Sequence, residues 1–310
     1  MKKREVALYR GFRKWPIILG MILSAHLLSG CATVPHRDGQ DIERPNTLHL
    51  RPNEPQIERG RPNRFLDGLG HLVLSIPSKV LLLNWRVDNH TISQESEDRL
   101  GHYLADNDLH NVKVRLNQYA PGDEWSRLFR NRSVGAGWRF TLGIISLINY
   151  TVFPGRLFGG DEYNPYTNTI HLYSDHSAIA LHEAGHSKDF AERKYKGSYA
   201  ALRMLPLVPL YQEALATGDA IGYFKERELV EEEKNAYKVL YPAYGTYVGG
   251  EAFRWVQWWV DLPPWTEYAV TYGSAIPGHI IGRAKAFYVD HKSRSRSQAE
   301  TELSGESGQR

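Results

Sequence analysis

The chain has 310 residues, 42% of them hydrophobic, which is enough for one large domain with an ordinary packed core. Its 38 Lys and Arg against 35 Asp and Glu leave a formal charge of +3, and much of the basic excess sits near the two ends, so no nucleic-acid-binding face is expected. A single cysteine, Cys31, excludes an internal disulfide and a cysteine-built metal site, so any metal must be held by His, Asp or Glu.

Lys2, Lys3, Arg4, Arg10, Arg13 and Lys14 form a positive stretch ahead of the apolar run Ile17 to Leu28, which is too short to span a bilayer. This is signal-peptide anatomy over residues 1–30. It ends in Leu28-Ser29-Gly30-Cys31, which resembles the lipobox of bacterial lipoproteins and implies cleavage before Cys31 and acylation of its thiol. Several acyl chains would make a stable membrane anchor. Ala32 after the cysteine resembles lipoproteins sorted to the outer membrane, so the implied location is the bacterial cell envelope, facing the periplasm. Residues 31–64, rich in Pro, Arg, Asn and Asp, are expected to be a flexible tether. A folded domain is expected over 65–290, and the Ser, Arg, Glu and Gln of 291–310 predict a disordered tail.

Phe65 to Leu83 is apolar with a proline at 77 and is expected to pack on the core as a broken helix, with grazing of the membrane as the alternative. A helix follows from Ser93 to Leu104, stopped by Asn107 and Asp108, and Val112 to Leu116 alternates with the period of a strand. Trp138 to Phe153 is another apolar run, expected as buried helix, with a dip into the membrane as the alternative. The turn cluster Asn164 to Asn168 leads into β-prone Thr169 to Tyr173, and Ser174 or Asp175 is placed to cap the next helix. A second helix should run from about Ser198 to Phe224, bent near Pro206 and Pro209, with a third from Lys225 to Lys238. Gly245 and Gly249, then Ser274, Gly278 and Gly282, recur every four residues and predict close helix packing, with membrane contact by this region as the alternative. The fold class is α+β, mostly helical, with a small sheet ahead of the helix that carries the most informative motif.

That motif is His182-Glu183-Ala184-Gly185-His186. Histidines at i and i+4 stand one above the other on a helix, the spacing that one tetrahedral zinc requires. Glu183 follows the first histidine directly, which sets its carboxylate beside the metal, where it can take a proton from an activated water. A strand just ahead of the helix is what a peptidase needs to align an extended substrate by strand addition.

Catalytic zinc wants a third protein ligand and an open position. The metzincin pattern would need Gly at 189 and His or Asp at 192, where this chain has Asp189 and Glu192. Strand, motif helix and a following Glu-bearing helix, from His182 to Asp219, instead resemble the core of gluzincin metallopeptidases. The resemblance implies a zincin-like domain that hydrolyses peptide or protein substrates, with zinc held by His182, His186 and Glu213 and with Glu183 as general base. Ala214, Ala216 and Gly218 would let the two helices approach. Asp219, or Thr217, could hold the far nitrogen of a zinc-bound histidine. Tyr247 and His279 are candidates for stabilising the oxyanion. The competing expectation is an inactive lipoprotein that keeps the fold as a binding or assembly module.

Overall fold

The computed structural model describes His36 and residues 47–307, apart from 258 and 264. The signal peptide and Cys31 lie outside the described residues. A mixed sheet of four short strands has the order β1-β2-β4-β3, from Ile57–Arg59 (β1), Lys113–Leu116 (β2), Glu162–Asn164 (β3) and Thr169–Leu172 (β4). β1, β2 and β4 run parallel, with Val114 opposite Ile170 and Leu116 opposite Leu172, while β3 is antiparallel to β4 and forms one edge.

The helices are Arg64–Leu69 (α1), Ile76–Leu82 (α2), Gln94–Asp106 (α3), Pro121–Arg130 (α4), Ile144–Val152 (α5), Ser177–Glu192 (α6), Lys196–Leu202 (α7), Val208–Glu226 (α8), Val230–Gln257 (α9), Trp265–Gly273 (α10) and Ala275–Ser307 (α11). Together they give a mostly helical α+β architecture with a small mixed sheet.

Both faces of the central strands are covered, although the alternation in β2 reads as half-exposed. Val114, Leu116, Ile170 and Leu172 join Leu181 and Ala184 of α6 in the main core. Lys113 and Arg115 point to the other face, equally buried, because each finds a partner there: Arg115 Nε donates to Glu124 of α4 at 2.7 Å, and Lys113 reaches Glu58 at 2.9 Å. Buried charges are tolerated when paired in this way.

Several expectations require correction. Residues 47–64 belong to the fold rather than to a tether, since Leu48 is buried and β1 extends the sheet through backbone pairing that proline-rich composition does not forbid at an edge. Residues 291–307 continue α11 instead of forming a disordered tail; the stretch is rich in good helix formers, and Arg294 pairs with Asp290 one turn back. His176, not Ser174 or Asp175, caps α6 by accepting from the Ala178 amide at 3.2 Å. Burial pushes His176 down to about 4, which keeps the ring neutral as a capping acceptor must be. Asp175 instead accepts from the hydroxyls of Ser93 and Ser96 and ties α3 to the start of α6. Neither apolar run is buried throughout: Leu72, Val73, Ile76 and Val80 of the first, and Ile145, Ile148 and Val152 of the second, face solvent.

The long helices α9 and α11 pack as their small residues predict. A Cβ added at Gly278 or Gly282 would fall within 2.5 Å of the Tyr241 or Tyr237 carbonyl oxygen. The contact that matters most for function is between α6 and α8, where a Cβ on Gly185 would lie 3.1 Å from Ala216 Cα. Gly185→Val is therefore expected to force these helices apart, lowering stability by about 1–3 kcal/mol and weakening metal binding in the same protein. Thermal melts and metal titration of the variant check this, and unchanged values in both would refute the packing account.

Candidate metal centre

α6 brings His182 and His186 onto one face, with their rings 4.7 Å apart and nearly perpendicular. Across the close contact, α8 directs Glu213 at both: its Oε2 lies 3.1 Å from His182 Nε2 and 3.4 Å from His186 Nε2. Ligand atoms of the three residues lie within 4.8 Å of one another, all three are buried, and the group could hold a metal ion. Ligands at about 2.0–2.1 Å around a tetrahedral centre sit roughly 3.3 Å apart, close to the two separations between Glu213 and the histidines. The donor set, two imidazoles and one carboxylate, leaves a further position open.

The three side chains are electrostatically coupled: Glu213 is held ionised, as a ligand must be, while His182 is held toward its protonated form, and a metal ion would displace that proton. Burial pushes the Glu213 carboxyl up, but the charge of His186 and hydrogen bonds from both imidazoles outweigh it and keep Glu213 well below its usual range. Burial likewise pushes His182 down, and the hydrogen bond to Glu213, with the charges of Glu183 and Glu213, leaves it above its ordinary value. The other oxygen of Glu213 accepts from Arg203 of the α7–α8 connection. This leaves Oε2 as the atom facing the histidines. Thr217 Oγ1 stands 3.4 Å from His182 Nδ1, one turn beyond Glu213, while His186 Nδ1 is buried with no hydrogen-bond partner among the described residues.

Glu183 is not a member of the ligand group. It lines both of two adjoining cavities, of about 400 and 190 Å³, that meet over the group. Tyr247, Asp161 and Glu213 also line both. The charge of Glu213 raises the Tyr247 phenol far above its usual value, so it stays protonated as a hydrogen-bond donor.

Comparison of the chain with protein-family models, curated proteins and solved structures found no match.

Two candidates from the sequence fall away from the site. Asp219 accepts from Lys188 at 2.7 Å, pairs with His36 at 2.8 Å and is bonded to Tyr103, so it holds neither metal-facing histidine. Six residues past Glu213 it faces another side of α8, whereas Thr217, four residues past, shares the face of Glu213. His279 donates from Nε2 to the Leu81 carbonyl at 2.8 Å and accepts from Arg283 at Nδ1, tying α11 to α2 rather than stabilising charge in the cleft. Glu192, at the end of α6, is not in the ligand group.

The sequence reasoning missed Arg203, Asp161 and Asp88. Asp161 lies ahead of β3, where its carboxylate accepts from the amides of Tyr173 and Ser174 at 2.6 and 3.0 Å. Burial and the nearby Asp88 charge raise Asp161 to about 7. A carboxyl raised in the folded state binds a proton there that the unfolded chain releases, so its stabilising effect is complete below the ordinary Asp value and is lost as pH rises through about 7. Asp161→Asn keeps an acceptor for the two amides and cannot ionise, so it should flatten the decline in stability between about pH 4 and pH 7. Denaturant unfolding at a series of pH values reads this directly, and a decline as steep as in the parent would contradict it.

A second expectation concerns the ligands themselves. The purified chain should bind about one divalent metal, and His182→Ala or His186→Ala should remove most of it. Full retention of metal by either variant, measured by elemental analysis, would rule out the ligand group.

Proposed function

We propose that this chain is a zinc-dependent metallopeptidase with a zincin-like domain of the gluzincin kind, hydrolysing peptide bonds in peptide or protein substrates. The observation that carries the proposal is the place of Glu183: a carboxylate in the cleft wall, next to the metal-ligand group yet outside it. A zinc ion held there would act as a Lewis acid, lowering the pKa of a water in the open position and polarising a substrate carbonyl.

The residues of the chain divide the remaining work. Glu183 accepts the proton of the attacking water and returns it to the leaving amine. Tyr247, kept neutral, donates a hydrogen bond to the oxygen on which charge develops. Arg203 fixes Glu213 so that one oxygen alone faces the histidines. β3 is an edge strand whose Glu162 and Tyr163 line the larger cavity, an arrangement suited to an extended peptide adding to the sheet beside Glu183. The competing reading, a lipoprotein that keeps this fold as a binding or assembly module, gives Glu183 no task.

The experiment compares two glutamates. Glu183→Gln should keep its zinc and lose turnover by about 10²–10⁴-fold, since the amide cannot accept the proton. Glu213→Gln should lower zinc affinity and recover part of its activity when zinc is added. Equal loss of zinc in both variants, or turnover surviving Glu183→Gln, would defeat the assignment of roles.

We also propose that acylation of Cys31 anchors the chain in the bacterial cell envelope, at the outer membrane and facing the periplasm. Metabolic labelling with a radioactive fatty acid should mark the parent chain and leave Cys31→Ala unlabelled; labelling of both would exclude this thiol as the attachment point.

A further inference from the structure

Two apolar segments wall the cleft and turn a second face outward. Leu82, at the end of α2, lines the smaller cavity beside His182, and Leu142, just before α5, lines the larger one beside His186. On the outer side of the same segments Leu72, Val73, Ile76, Val80, Ile145, Ile148, Val152 and Phe153 are between 43% and 65% exposed. The two faces are continuous. The Phe153 ring packs on Phe158 at 5.7 Å, and the helical turn Gly155–Phe158 lies against the segment 64–74, where Arg156 bonds Asp67 at 2.8 Å. Beyond α2 the hydrogen bond from His279 to Leu81 brings in α11, with Ile276 and Ile280 exposed by 62% and 66%. Apolar area on this scale is not what a water-facing surface carries by chance.

Charge says what covers it. Across residues 64–86 and 138–158 there are five basic side chains, Arg64, Lys79, Arg86, Arg139 and Arg156, and one acidic, Asp67. Arg156 pairs with Asp67, Lys79 is turned inward onto Ser75 and the Asp88 carbonyl, and Arg139 donates to the Asn131 carbonyl, so no acidic charge is left unpaired on these segments. Arg64 and Arg86 remain exposed at its borders, beside Trp85. An apolar face with basic borders and an interfacial tryptophan complements an anionic lipid surface. No single described helix is long and apolar enough to cross a membrane, whereas Arg64–Leu74 and Ile76–Leu82, bent by 51°, together have a span's length and composition. Bent in this way, the pair suits shallow burial in the interface.

We propose that this band lies against an anionic lipid bilayer, so that the cleft opens at the membrane and acts on polypeptides presented there. The choice of substrate rests on the peptidase proposal; the docking does not.

The test uses the full chain with Cys31→Ala, so that single cysteines introduced by Val80→Cys, Ile148→Cys or Glu231→Cys can each carry an environment-sensitive fluorophore. Glu231 lies at the start of α9, about 24 Å along that helix from Tyr247. With vesicles of phosphatidylethanolamine and a minority of phosphatidylglycerol, the labels at 80 and 148 should shift to the blue and be quenched by spin-labelled lipid, while the label at 231 stays water-like. The shift should be smaller on pure phosphatidylcholine. Labels at 80 and 148 that stay unchanged while the chain sediments with vesicles would mean attachment by the N-terminus alone and would overturn the proposal. A shift that appears without vesicles as protein concentration rises would assign the face to a second copy of the chain instead. None of these readouts needs turnover. The substrate clause is tested by a cleavable peptide offered free or lipid-anchored in the same vesicles: faster cleavage of the anchored form is expected, and equal rates would overturn that clause, whereas no cleavage of either would count against the peptidase itself.

Discussion

Everything proposed for this protein depends on one buried contact, in which a single carboxylate oxygen of Glu213 stands between the imidazoles of His182 and His186. Two helices must touch almost backbone to backbone for the contact to exist, and Gly185 against Ala216 is where they do. Three ionisable side chains in one buried place are unfavourable in isolation, because each loses hydration. Here mutual attraction and the Arg203 guanidinium offset the loss, and a metal ion would replace the shared proton with a stronger charge. The sheet sets the depth of this contact, since β4 leads directly into α6 and its Ile170 and Leu172 share a core with Leu181 and Ala184.

The cleft built around the contact is acidic. Glu183, Asp161 and Glu162 line its larger cavity along with Glu213, while Arg203 is the basic side chain in the same wall. Burial and the charge of Asp88 raise Asp161. Such an environment favours a bound cation. Tyr247 benefits from the same field, which holds its proton in place.

What the sequence made legible follows from how local each signal is. The spacing of His182 and His186 carries its geometry within one helical turn, so the pair could be placed before any fold was known. Glu213 required a family pattern, because nothing in the residues between dictates that α8 returns to α6. Asp219 was misjudged although the helical period was available: six residues beyond Glu213 is the wrong face, by the same argument that removes Glu192. Arg203, Asp161 and Asp88 had no sequence signal, since each acts across elements remote in the chain. The strands β2 and β4 were visible through their apolar alternation, yet the burial of Lys113 and Arg115 was not, because it depends on Glu58 and Glu124 arriving from other elements. The apolar runs at 65–83 and 138–153 looked like core for a related reason: composition reports how apolar a segment is, and only the fold reports which side of it finds a partner.

The account is tested most directly by X-ray absorption at the zinc edge of the metal-loaded protein. Two imidazole ligands and low-atomic-number oxygen ligands at about 2.0–2.1 Å, with no sulfur near 2.3 Å, are predicted for a centre built from His182, His186, Glu213 and a water. A third imidazole, a sulfur ligand from Cys31, or a protein that takes up no zinc would contradict it.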